Sequence, residues 1–169
     1  MKRIISIIVL ISILLTGTIV FAEGTGTETT KSKIVNKLQE FQAKIAEIKP
    51  LVGEIRANRT ELLRLRADAR TAYDKAKNKV QEMLKNKDNL TVEQIEAVKV
   101  SLKALQDNKK VLTGTIGEIS EETISLRAAA RDREFAGVKN ALENIKKVQN
   151  LRIVELKEII AELNKISAM

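Results

Sequence analysis

From Ile34 to Met83 the chain places a residue at every alternating step of three and four, and thirteen of these fifteen residues are apolar or weakly so. The series starts Ile34, Leu38, Phe41, Ile45 and Ile48, and ends Tyr73, Ala76, Val80 and Met83; Arg59 and Arg66 are its charged members. A three-four alternation averages 3.5 residues, the period of a helix that supercoils against a partner helix. A run of this length without a slip leaves little choice: the chain forms long helix with one stripe against another helix. Composition agrees. Aromatic residues are 2 % of the chain, there is one proline, and Cys, His and Trp are absent. α/β and all-β domains carry more aromatic and turn-forming residues than this. With no cysteine there is no disulfide framework, so stability must come from aliphatic packing along helices.

Residues 1–22 read as a separate object. Met1-Lys2-Arg3 is a short basic segment, Ile4 to Leu15 is apolar apart from Ser6 and Ser12, and Val20-Phe21-Ala22 offers small residues at the −3 and −1 positions before Glu23. This is the layout of a secretory signal peptide cleaved between Ala22 and Glu23. The competing reading is a retained anchor, since Ile4 to Ala22 carries no charge. Thr16-Gly17-Thr18 and the lack of a basic cluster after Ala22 favour cleavage. Removing Lys2 and Arg3 lowers the formal charge from +8 to +6.

Residues 23–31, rich in Gly and Thr, are expected to be a disordered polar tail. The helical coiled-coil domain then covers 32–169. Its first helix is expected over 32–87, continuous through Pro50, which falls on the outer side of the heptad. A column of acids at the c positions (Glu40, Glu47, Glu54, Glu61 and Asp68) is expected to be a solvated face. A turn follows at 88–90, then a second helix over 91–167 with breaks near 114–117 and 131–137. Thr91 and Gln94 have capping-box spacing at its start. From Ile95 the heptad lattice continues through Ala130, with Lys109, Thr123 and Arg133 as its polar members. If the two helices fold back at the turn, positions that sum to 178 face each other: Val80 meets Val98, Tyr73 meets Leu105, and Val52 meets Leu126. The expected fold is all-α, an elongated antiparallel helical hairpin with a C-terminal amphipathic helical extension. Beyond about residue 144 the apolar phase no longer matches the first helix. That stretch folds back at Gly137, projects freely, or pairs with another copy.

Enzyme chemistry is poorly supplied. There is no His for proton transfer near neutral pH and no Cys nucleophile. The densest carboxylates, Glu121-Glu122 and Asp132 with Glu134, have no cavity in a two-helix rod to tune them. No catalytic residue, metal ligand or cofactor is expected. Charge says more. Residues 31–87 hold fifteen Lys/Arg against seven Asp/Glu, and residues 91–167 hold thirteen against twelve. The excess makes Arg56, Arg64, Arg70, Lys75 and Lys77 the candidate face for an anionic partner. Arg59 and Arg66 fall on the seam, where their stems bury while their heads reach solvent or an acid such as Glu118 or Glu122. Nucleic acid is not an expected partner, because almost no aromatic residues are available to stack on bases.

Leu90-Thr91-Val92-Glu93-Gln94 matches the L-T-x-x-Q motif and in this resembles the Spy/CpxP family of small exported helical stress proteins. That resemblance implies a helical dimer whose basic concave surface holds non-native proteins. The chain also resembles the exported coiled-coil proteins of low-GC Gram-positive bacteria, with which its Ile, Lys and Asn usage agrees. The expected role is non-enzymatic: a cell-envelope or secreted protein that self-associates as a dimer and binds other proteins in holdase fashion. Binding of anionic envelope polymers or a membrane surface through the basic helix face is the second reading, and a structural spacer the third.

Overall fold

A computed structural model describes residues 28–169. The expected signal peptide, its Ala22–Glu23 cleavage point and residues 23–27 of the polar tail lie outside the described residues. Four helices follow in order: α1 (Glu28–Lys85), α2 (Val92–Gly114), α3 (Glu118–Arg131) and α4 (Phe135–Ser167), with a 3-10 turn at Lys87–Asn89 between the first two. No strand occurs among the described residues, so the chain is all-α. Residues 28–31, expected in the disordered tail, are already helical. Once a helix is nucleated, each added residue gains a hydrogen bond, and a polar stretch is recruited at small cost. Pro50 leaves α1 unbroken; it is exposed, as is Ala46 one turn earlier, so water can take the freed carbonyl.

Each turn has a local cause. The Thr91 hydroxyl accepts the Gln94 amide at 3.2 Å, and the Gln94 side chain accepts the Thr91 amide at 3.0 Å, closing a capping box. α2 ends where Thr115 and Ile116 donate back to Leu112 and Thr113, and Gly117 takes φ 96°. α3 ends in a Schellman arrangement: Glu134 donates to Ala129 at 2.8 Å and Arg133 to Ala130 at 3.3 Å. The left-handed position of that motif (φ 59°) is held by Arg133, where glycine is usual.

The chain divides into two packing units. One takes the described residues up to Glu54 together with Ser120–Ile145, and the other takes Ile55–Ile119 with Lys146–Met169. In the first, Leu126 and Ala129 of α3 and Val138, Ala141, Leu142 and Ile145 of α4 are buried. α4 starts close against α3, since a Cβ on Gly137 would stand 2.9 Å from the Ala129 Cβ. Lys139 reaches Glu47 at 2.8 Å, Lys44 lies 5.8 Å from the Phe135 ring centre, and Asn144 donates to Glu122 at 3.0 Å.

In the second unit Ala72 and Ala76 of α1 meet Leu163 and Ile166 of α4, with Leu105 of α2 and Val80, Ile159 and Ile160 packed around them. Asn58 donates to Asn150 at 2.7 Å and Lys157 lies 3.5 Å from Glu61. Ser101, buried on α2, lies beside Glu162 of α4 and, after Lys165, helps hold its carboxyl below the ordinary value. Contact numbers rise together along α1 and α4, which run parallel here. Along α1 and α2 they run in opposite senses: Leu62 and Arg66 share a groove with Ile116 and Leu112, both pairs summing to 178.

Of the three courses open to the C-terminal stretch, the chain folds back. It does so at Arg133 and not at Gly137, whose missing side chain instead lets α4 approach α3. With α4 as a third partner, the buried stripe of α1 turns away from the two-helix seam. Leu65 and Ala72, off that seam, are 3 % and 5 % exposed, whereas Tyr73, expected to meet Leu105, is 56 % exposed. Leu102 and Ile95, on the matching edge of α2, are also exposed. The acidic column is likewise more than a solvated face. Glu47 in the first unit and Glu61 in the second are where lysines of α4 dock.

Candidate functional site

The five residues expected to form one basic face do not share a face. At about 100° per residue, Arg56, Arg70 and Lys77 fall on one flank of α1 together with Arg59 and Arg66. Arg64 and Lys75 lie on average roughly 120° further round, beside the acidic column. Arg64 is engaged there, 2.8 Å from Glu61 and 3.0 Å from Asp68. Its hydrogen bond to Glu61 raises the guanidinium pKa and holds the Glu61 carboxyl below its ordinary value. Arg64 is thus paired along its own helix, although its side chain stays 59 % exposed. The other four expected residues are exposed.

What the second unit does bring together is a different set. Leu62 and Arg66 of α1, Lys109, Leu112, Thr113 and Ile116 of α2, and Arg152 and Leu156 of α4 line one groove of about 220 Å³. Its floor is aliphatic: Leu62 is buried, and Leu112 and Leu156 are half-buried. Ile116 stands 72 % exposed at the rim. Three of the eight lining residues are cationic and none is acidic. Among the described residues the side chains of Arg66 and Lys109 make no hydrogen bond or ion pair.

Arg152 is held differently. Its Nε donates to Thr115 Oγ1 and its Nη2 to the Thr115 carbonyl, both at 2.7 Å. Thr115 is buried at the end of α2, and its hydroxyl donates in turn to the Leu112 carbonyl at 2.7 Å. A cation at a helix C-terminus satisfies carbonyls that have no helical partner. Guanidinium carries five N–H groups, so three remain for other acceptors. Burial, then the neighbouring Arg66, pull the Arg152 pKa down, and Glu118 acts the other way. The groove is therefore a concentration of like charge over an apolar floor.

Sequence reasoning placed Arg59, Arg66 and Lys109 as polar members of the seam but missed Arg152. The signal was partial. Charged residues at heptad positions mark where the seam cannot close, but the phase of α4 does not declare which of its residues arrives there. Among the described residues no helix is long and apolar enough to cross a membrane. Comparison with family models, with curated proteins and with solved structures gives no match.

Proposed function

We propose that the protein is a non-enzymatic, exported binding protein of the cell envelope or secreted fraction, holding segments of other proteins on the open side of its second unit. The observation that carries this reading is the mixture on that side. Tyr73, Ile95, Leu102 and Ile116 are exposed apolar residues at seam positions, interleaved with Arg59, Arg66 and Lys109. Large apolar surface rimmed by charge is a feature of protein-contact sites. Non-native segments that expose apolar side chains and carry net negative charge match both components. The likeness to Spy/CpxP proteins at Leu90–Gln94 supports the same reading, and in this chain those residues also make the capping box.

The test is aggregation of an acidic, chemically denatured client diluted into buffer with and without the full chain. Suppression that survives moderate salt and is lost in Tyr73→Ser/Leu102→Ser supports the reading. No suppression at several-fold molar excess overturns it. A second reading, attachment to anionic envelope polymers or lipid headgroups, is favoured by the flank of Arg56, Arg59, Arg66, Arg70 and Lys77. Co-sedimentation with anionic vesicles that disappears as salt rises would support it.

A further inference from the structure

We infer that the groove formed by Arg66, Lys109 and Arg152 is a binding site for a single anionic amphiphile, a carboxylate or phosphate head on an alkyl chain, taken up as a monomer from solution. The inference goes beyond protein holding and does not rest on it. Three arguments converge. The cations arrive from three different helices at one concavity that no acidic side chain lines. Like charges gathered over a low-dielectric floor repel one another, and an anion among them removes that repulsion.

Arg152 is oriented before any ligand arrives, because Thr115 fixes its Nε and Nη2 at 2.7 Å. Its remaining N–H groups are a prepared donor set for an oxyanion, and a fixed guanidinium loses less freedom on binding than a mobile one. Arg66 and Lys109 are the unpaired arms that close on the same head.

The floor then selects what is attached to that head. Leu62, Leu112 and Leu156 line the same groove as the cations with aliphatic surface, and Ile116 is its exposed apolar edge. A free inorganic anion would leave this surface wet. A neutral alcohol would leave the charges uncompensated. A volume of about 220 Å³ is small beside drug-sized sites of roughly 300–1,000 Å³. It takes a head group and the first carbons of one chain, with the rest lying over Ile116. A groove of this size admits one head group and the start of one chain, which a monomer supplies.

The experiment is an amide chemical-shift titration of the full chain with octyl phosphate held below its aggregation threshold. 1-Octanol, inorganic phosphate and anionic vesicles serve as the comparison arms. Octyl phosphate is expected to shift amides near 109–116 and 152–156 at least ten-fold more tightly than octanol or phosphate. Arg66→Gln and Lys109→Gln are each expected to weaken it about three- to five-fold, the scale of an exposed charge contact. Their circular dichroism should be unchanged, and Lys99→Gln, at an exposed position of α2 outside the groove, should bind like the parent chain. Equal binding of octanol or of phosphate overturns the inference, as does undiminished binding by the Arg66→Gln/Lys109→Gln double variant. Binding to vesicles with none to monomers also overturns it and assigns the charge to a membrane surface. Client aggregation is a separate readout, so the two readings fail separately.

Discussion

Gly53 and Gly137 show how differently two helical glycines are constrained. A Cβ on Gly53 would meet nothing within 4 Å, inside a helix where glycine costs about 1 kcal/mol relative to alanine. Gly53→Ala is therefore expected to stabilise the protein by about that amount in urea unfolding. Gly137 is the opposite case: its added Cβ would stand 2.9 Å from the Ala129 Cβ, with Glu134 atoms at 3.2 and 3.3 Å. Gly137→Ala forces α3 and α4 apart and is expected to cost about 1–3 kcal/mol.

Glu155 supplies a third residue-scale test. Its Oε2 is buried without a hydrogen-bond partner, and burial followed by the nearby Glu158 raises its carboxyl pKa above 4.5. A carboxyl whose pKa is raised by folding opposes folding at neutral pH, and the penalty fades as pH falls through the folded pKa. Glu155→Met removes both the charge and the orphan oxygen, so a melting temperature a few degrees higher is expected at pH 7. That gain should shrink as the pH is lowered toward 4.5. A gain independent of pH would mean that packing, not ionisation, carries the effect.

At the scale of elements, the turns are where sequence and structure can be compared most directly. The Thr91–Gln94 capping box was legible because it is local: two side chains serve two amides three residues apart. The return of α4 was not legible at its true position. Arg133 occupies a left-handed site that sequence rules reserve for glycine, so attention falls on Gly137, which has a packing role instead. Arg133→Gly removes the Cβ strain of a left-handed residue, roughly 1–2 kcal/mol for a non-glycine, although glycine gives part of it back in unfolded-state freedom. The expected net is a stabilisation of up to about 1 kcal/mol. Destabilisation would show that the Arg133 side chain does more than close the turn. The heptad period likewise revealed that α1 pairs, yet a period of 3.5 marks a stripe and not how many neighbours share it. Arg59, Arg66, Tyr73 and Lys109 sat on the two-helix seam for that reason. Of these, Arg66 and Lys109 reach the groove, because α4 brings Arg152 and Leu156 beside them.

For the molecule as a whole, the deciding question is whether the C-terminal stretch is an appendage or part of the core. If it were an appendage, small replacements near the C-terminus would leave the α1–α2 pair folded and its melting unchanged. In the second unit, however, Leu163 and Ile166 are 6 % and 2 % exposed and pack on Ala72 and Ala76. Alanines cannot fill the space between helices unaided, so the bulk must come from α4. Leu163→Ala and Ile166→Ala are each expected to cost about 2–5 kcal/mol, the range for emptying a buried aliphatic site. Against a total of about 5–15 kcal/mol for a domain, the double variant should lose cooperative urea unfolding of this unit. The groove should go with it, since Arg152 and Leu156 are delivered by the same helix. Amide exchange read at 98–112, on α2, distinguishes the cases. Protection lost there in Ile166→Ala, far along the sequence from the substitution, places α4 in the core. Protection retained there would return α4 to the role of an extension.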